Sequence, residues 1–229
     1  MVKHVDVAIA GGGIVGASIA WALAGRGIKS IALFERSTIA SGASGRTGAL
    51  LRRHYSNEPE ARLAHLGYTI YRDWPSVVGG DCGHVPEGLV VTVDCSPDHV
   101  ENIPRLHKNV ALQNALGIDS RVITGDDLLK MQPFLNTADI PVASYEPSSG
   151  YVDSIAATRS MAYAAQTLGV EIQEGVNVTG IATTSGRVSG ISTSEGNVSA
   201  DVVVCANGPW VAELLQPAGI SIPISALRV

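Results

Sequence analysis

The chain opens on an almost unbroken apolar run, Val5-Asp6-Val7-Ala8-Ile9-Ala10, which predicts a strand buried on both faces. Glycines interrupt it at once. From Ile14 to Arg26 the apolar residues recur at helical spacing, with Ala17, Ala20 and Ala24 as strong helix formers and Gly27 where the helix should end. Ile31-Ala32-Leu33-Phe34 reads as a second strand, closed by Glu35. The pattern then lapses: residues 36–47 are mostly small and polar, too poor in apolar surface to form an element.

Periodicity returns at residues 58–74, a predicted helix that Pro75 and Gly79-Gly80 end. Residues 88–93 predict a strand, and a helix is expected to start near Ser96 with Pro97 in its first position and run to about Leu116, kinked or split at Pro104. A short strand follows at 119–124 and a short helix at 126–131. Asp153 or Ser154 caps a helix at 155–168 that Gly169 terminates, and 170–173 is a strand. Residues 176–182 and 187–193, turned at Ser185-Gly186 and followed by Glu195-Gly196, predict a small antiparallel meander. Val202-Val203-Val204-Cys205-Ala206 reads as a returning buried strand whose end, Asn207-Gly208-Pro209-Trp210, can lie beside the first turn.

Candidate chemistry sits in that opening. Gly11, Gly13 and Gly16 stand at G-x-G-x-x-G spacing between a strand and a helix: the first allows the tight turn, the second lets backbone approach a pyrophosphate, the third lets helix and strand pack closely. The helix N-terminus then presents N–H groups to phosphates, and a carboxylate at Glu35 can accept from the ribose hydroxyls of an adenosine. The alternative is a structural strand-to-helix turn. The loop that follows carries Ser41, Ser44 and Thr47, whose hydroxyls can bond phosphate or ring edges, against the plainer reading of a surface loop. Beyond it, Leu50-Leu51-Arg52-Arg53-His54-Tyr55 gathers two guanidiniums, an imidazole and a phenol as the best candidates for the substrate side, with pairing to a surface acid the alternative for either arginine. Residues 86–143 carry no chemical motif and read as part of a second, substrate-covering domain.

Composition narrows this picture. With 229 residues, 45% of them apolar, the chain can bury one large core or two small ones. A net charge of −5 without long runs gives no footprint for nucleic acid or an anionic membrane. No stretch reaches membrane-spanning length and no signal peptide is legible, so a cytoplasmic location is expected. Cys82, Cys95 and Cys205 are odd in number and lack CxxC spacing, against a disulfide framework or a zinc site, and Cys205 reads as a buried small hydrophobe. His65, His84, His99 and His107 stand without partners at ligand spacing, so no metal site is expected.

Taken jointly, five stretches resemble the D-amino-acid oxidase and sarcosine oxidase superfamily of FAD-dependent oxidoreductases: residues 8–16, Glu35-Arg36, residues 41–46, Glu146-Pro147 with Gly150-Tyr151-Val152-Asp153, and residues 203–210. The resemblance runs from Val5 to about Leu227. It implies an α/β fold: a Rossmann-like, glutathione-reductase-like FAD-binding domain, discontinuous over residues 1–85 and 148–218, with an incomplete α+β substrate domain over 86–147 and 219–229. It implies FAD as cofactor, held by Gly11, Gly13, Ile14, Val15 and Gly16, by Glu35 on the adenosine ribose with Arg36 beside it, and by the backbone at Val178 against the adenine. Ser44, Gly45, Arg46, Thr47 and Gly48, with Ala206, Asn207, Gly208 and Trp210, approach the flavin. The absence of a cysteine pair removes the disulfide-reductase subclass of flavoproteins.

The implied partner is a small-molecule amine or amino acid whose C–N bond is oxidised to an imine, with no nucleic acid and no membrane. Arg52 matches the position that meets a substrate carboxylate, a task a bidentate guanidinium suits, and His54 and Tyr55 lie beside it. His54 is read as an orienting histidine or, alternatively, as a point of covalent flavin attachment. No catalytic acid or base is assigned, and oligomeric state is unspecified. Members of the superfamily continue past the equivalent of Val229, so the chain is expected to be a fragment, inactive alone, ending over 222–229 in what reads as the start of a strand. Two other readings stand: an NAD-dependent Rossmann dehydrogenase, or a non-catalytic flavoprotein fragment.

Overall fold

The computed structural model describes residues 4–96, 98–99 and 101–225. Along the chain run β1 (His4–Ala10), α1 (Ile14–Gly25), β2 (Ile31–Glu35), β3 (Leu50–Leu51), α2 (Glu58–Arg72), α3 (Trp74–Val77), β4 (Leu89–Val93), α4 (Asn102–Ala115), β5 (Arg121–Ile123), α5 (Gly125–Met131) and β6 (Val142–Glu146). They are followed by β7 (Gly150–Tyr151), α6 (Ser154–Thr167), β8 (Glu171–Glu174), β9 (Val178–Thr184), β10 (Arg187–Thr193), β11 (Gly196–Cys205) and α7 (Val211–Leu215). These elements fall into two compact units, one of Met1–Gly48, Val78–Cys82 and Asp153–Val229, the other of Ala49–Val77 and Gly83–Val152.

The first unit is built on a six-stranded sheet in the order β8-β2-β1-β11-β10-β9. β1 pairs in parallel with β2 and β11, and β2 with β8, whereas β9, β10 and β11 pair antiparallel. The meander and the returning strand are therefore one continuous feature: β11 leaves the hairpin at Gly196 and runs on beside β1 to Cys205. Val7, Ala8, Ile9 and Ala10 are all buried, as an apolar run between two neighbours requires. Ala8, Ala32, Phe34, Ile191, Val198 and Ala200 belong to one core cluster. α1 and α6 pack together through small buried residues, Ala17 and Ala20 on one, Ala157, Ala162 and Ala165 on the other, which lets the helices approach closely. The Asp153 carboxylate caps α6 by accepting from the N–H groups of Ile155 and Ala156, both at 2.9 Å.

The second unit holds an antiparallel three-stranded sheet, β4-β6-β5, and the short pair β3-β7. Leu106 and Val110 of α4 form a core with Val93 and Val142 of that sheet. Gly150 is required where β7 passes Val85, since a Cβ there would lie 1.9 Å from the Val85 carbonyl oxygen.

Several expectations are corrected. The helix expected from Ser96 begins at Asn102; Asp94 accepts from the N–H and hydroxyl of Ser96 and pairs with His99 at 2.7 Å, folding this stretch into a turn. Those contacts hold the Asp94 carboxyl down at about 2. Pro97 itself lies outside the described residues. Pro104 neither kinks nor splits α4, because it falls in the first turn, where its missing N–H would have no intrahelical partner anyway. The returning strand is not fully buried: Val202 is 52% exposed and Cys205 half-buried, its thiol pushed up by that burial. Residues 222–225 form no strand, and 226–229 lie outside the described residues.

Candidate functional site

The glycine turn joins β1 to α1 in the first unit. Gly11 takes a φ of +113°, in the region that favours glycine, and a Cβ on it would meet the backbone of Ala206 and Asn207 at 2.5–2.8 Å. The end of β11 is thus seated on the turn, fixed by the N–H of Ala206 donating to the Ala10 carbonyl at 2.8 Å. Gly16 serves packing: a Cβ there would come within 2.0 Å of the Gly11 carbonyl oxygen. One difference from expectation concerns the helix end. The Ile14 N–H is not free toward a ligand but donates to the Ser44 hydroxyl at 3.0 Å, so the loop caps the helix.

Glu35 ends β2 against this turn. Its carboxylate accepts from the N–H of Gly12 at 2.8 Å, the N–H of Ser37 at 2.9 Å and the hydroxyl of Ser41 at 3.4 Å. A carboxylate offers about four acceptor positions. Three are in use here, which leaves room for one further donor. Ala40, at φ +70°, donates its N–H to the Gly12 carbonyl at 3.1 Å, and Gly45 lies so close to Ala40 that a Cβ would stand 2.1 Å from its oxygen.

Around this turn lies a cavity of about 680 Å³. Of the residues singled out in sequence, Gly11, Gly13, Val15, Glu35, Arg36, Ser41, Ser44, Arg46, Val178, Ala206, Asn207, Gly208 and Trp210 line it; Ile14, Gly16, Gly45, Thr47 and Gly48 do not. The Arg36 guanidinium lies over the Trp210 ring at 4.1 Å, a cation–π contact in the cavity wall. Asn177, Thr179 and Glu213 also line it and carry no sequence signal of their own; the first two flank Val178 at the start of β9, and Glu213 lies on α7, which periodicity did not reveal. The Asn207 Oδ1, buried, has no hydrogen-bond partner among the described residues. The set fits a dinucleotide: a glycine turn for the phosphates, an acid with one acceptor position spare, hydroxyls, and an orphaned amide oxygen in a residue of the wall.

The 50–55 segment belongs to the second unit. Arg52 is exposed, its guanidinium 5.2 Å from the Tyr55 ring centre, and it makes no ion pair among the described residues. Arg53 behaves differently. It is buried, its Nε 3.5 Å from Glu146 Oε2, its backbone N–H donating to that same oxygen at 3.2 Å, and its Nη2 donating to the hydroxyls of Ser148 and Ser149. The Tyr68 ring covers its guanidinium at 4.0 Å. Glu146, also buried, further accepts from Gln113 and Ser149, so this acid is an interior and not a surface partner. His54 lies between Ser144 and Asn109, each 3.1 Å from one ring nitrogen. Burial pushes its pKa below the ordinary value, with Glu146 and a Gln113 hydrogen bond pulling the other way. Asn109 and Gln113 were invisible in sequence: on α4 they read as ordinary polar helix positions, yet both are buried.

Elsewhere His4, Asp6 and Asp201 bring ligand-type atoms within 4.8 Å of one another, a juxtaposition that only the pairing of β1 with β11 creates. Among the described residues no helix is long and apolar enough to cross a membrane.

A parallel strand, a glycine turn on a helix N-terminus and an acid closing the next strand define a Rossmann-like dinucleotide-binding protein. The chain belongs to the family described as DAO, FAD dependent oxidoreductase, which it matches over residues 6–228. It is 29% identical over 236 aligned residues to the glycine oxidase of Geobacillus kaustophilus (strain HTA426), covering 100% of this chain and 61% of that protein. It is 27% identical to the mitochondrial pyruvate dehydrogenase phosphatase regulatory subunit of Mus musculus, covering 96% of this chain and 25% of that one. Among solved structures, the L-proline dehydrogenase from P. horikoshii superposes with a TM-score of 0.89 at 25% identity, over 98% of this chain and 58% of its own. The chain thus spans from a quarter to about three fifths of the length of these relatives.

Proposed function

We propose that this protein is an FAD-dependent oxidoreductase that oxidises the C–N bond of a small amine or amino acid to an imine. The observation that carries the reading is the cavity of the first unit, where the glycine turn, Glu35, Val178 and the 206–210 segment meet in a chain that matches the FAD dependent oxidoreductase family. Bound FAD supplies the two-electron oxidation that no side chain provides. The chain's part is to hold and orient. Glu35 offers its remaining acceptor position to the adenosine ribose, and the Gly11–Gly13 backbone accommodates the pyrophosphate. Residues 206–210 and Ser44 and Arg46 bound the same cavity on the side proposed for the flavin. The exposed guanidinium of Arg52 takes the substrate carboxylate, with Tyr55 beneath it and His54 next in the chain. A cytoplasmic location accords with this reading.

The test is direct. Absorbance scans of the purified protein and of a form extended past Val229 should show a flavin band, and in the extended form glycine, sarcosine or a D-amino acid should drive dye or oxygen reduction. Arg52→Lys should raise KM sharply for an amino acid and hardly alter it for the decarboxylated amine. Absence of flavin together with tight nicotinamide binding would replace this reading with that of an NAD-dependent dehydrogenase. A second reading, a flavin-binding regulatory protein without turnover, is favoured by the similarity to the mouse regulatory subunit. Flavin binding by the extended form without reduction by any amine would select it.

A further inference from the structure

We infer that Glu174 is a positioning residue of the nucleotide cavity, holding the 36–46 loop onto the glycine turn. The inference deepens the FAD reading above and rests on it. Glu174 ends β8, the edge strand, directly beside Glu35 in the β2–β8 register. Its Oε1 accepts a hydrogen bond from the backbone N–H of Ile39, a residue buried in the middle of the loop. A buried N–H needs an acceptor, and an ionised carboxylate is a strong one. The two residues after Glu174 tighten the grip: Gly175 donates to the Ser37 carbonyl at 2.9 Å and Val176 to the Glu35 carbonyl at 3.0 Å.

From Ile39 the hold passes to the phosphate-binding turn. The position a Cβ would take on Gly12 lies 2.7 Å from Ile39 Cδ1, so this side chain is pressed against the turn. The next residue, Ala40, donates to the Gly12 carbonyl from a left-handed conformation that an alanine adopts only when its surroundings impose it. The loop fixed in this way supplies Arg36, Ser41, Ser44 and Arg46 to the cavity. Glu174 itself lines no part of it. It acts through the loop, across 135 residues of sequence.

The experiment uses the purified protein with its flavin removed, and Glu174→Ala, Glu174→Asp and Glu174→Gln. FAD affinity is read by flavin fluorescence titration. Loop order is read without ligand by limited trypsin digestion, since Arg36 and Arg46, both exposed, flank the loop. Glu174→Ala should weaken FAD binding on the order of tenfold or more. It should also speed cleavage at Arg36 or Arg46 severalfold. Glu174→Gln keeps an amide oxygen for the Ile39 N–H and should restore both readouts, whereas Glu174→Asp, a methylene shorter, should behave like the alanine variant and replaces it if that one fails to fold. Variants that melt lower yet bind FAD and resist trypsin as the parent does would overturn the inference, leaving a purely structural residue. If the parent chain binds no FAD, the FAD reading falls, and unchanged digestion of the variants would then remove the loop-holding role as well.

Discussion

Glu35 does two things that a motif search merges into one. The spacing marks it as a ribose acceptor, and in the fold it first serves the protein, satisfying the N–H groups of Gly12 and Ser37. Replacing it with alanine should therefore weaken FAD binding by about 1–3 kcal/mol, roughly 5- to 150-fold, measurable by fluorescence titration. It should also lower the melting temperature of the flavin-free protein, which a residue serving only the ribose would leave unchanged. His54 supports a prediction of different sign. As its amide is oriented here, Asn109 Nδ2 donates to Nε2, so Nδ1 carries the proton toward Ser144. Protonation would set Nε2–H against the amide N–H, and burial already holds the imidazole below 6.5. The folded state then binds fewer protons than the unfolded one, so this contribution is complete above the unfolded value and is lost as pH falls through the lowered folded value. His65 and His84, pushed down by burial as well, act in the same direction. Between about pH 7.5 and about pH 5.5, either side of the ordinary histidine range, the melting temperature should fall, and fall less in His54→Gln. An equal fall in both proteins would show that the imidazole is not held neutral.

At the scale of elements, α6 depends on a single side chain at its start. Asp153 satisfies two N–H groups at the N-terminus of the helix that packs on α1, so Asp153→Ala should cost about 1 kcal/mol, a fall of roughly 2–4 °C in melting temperature, with Asp153→Asn close to the parent. Such elements were legible because their signals are local: the apolar run of β1, the cap and terminal glycine of α6, the turn at Ser185-Gly186. What escaped was set by competing short-range bonds or by distant partners. The start of α4 was misplaced because Asp94 draws Ser96 and His99 into a turn, a competition that proline in a favourable position did not reveal. The continuity of β11 with β1 was anticipated only at its end, since the polar first half of that strand resembles an ordinary hairpin arm. Within the candidate site the same division holds. The glycines and Glu35 fall within one strand–helix–strand stretch and could be read there, whereas Asn177 and Glu213 join the cavity, and the Glu174–Ile39 bond forms, only after the sheet is assembled.

For the molecule as a whole, every wall residue of the cavity comes from the first unit, although those residues are drawn from both ends of the sequence. A ligand that bridges β1, β2, β9 and β11 binds only when this unit is folded, because the unfolded chain does not bring residues 11, 35, 178 and 207 together. Binding must therefore stabilise the folded state by mass action, by about 2.7 kcal/mol when free FAD is a hundredfold above its dissociation constant. For a chain of this length that corresponds to a rise of roughly 5–11 °C in melting temperature, growing with the logarithm of ligand concentration. ADP, which carries the adenosine and pyrophosphate but no flavin, should produce a smaller rise if, as proposed, Glu35 and the glycine turn take those two parts and the 206–210 segment meets the flavin. Differential scanning fluorimetry over a concentration series of both ligands checks this. A shift for ADP equal to that for FAD would mean that the 206–210 segment contributes nothing to binding, and no shift for either would mean that the cavity is not a dinucleotide site.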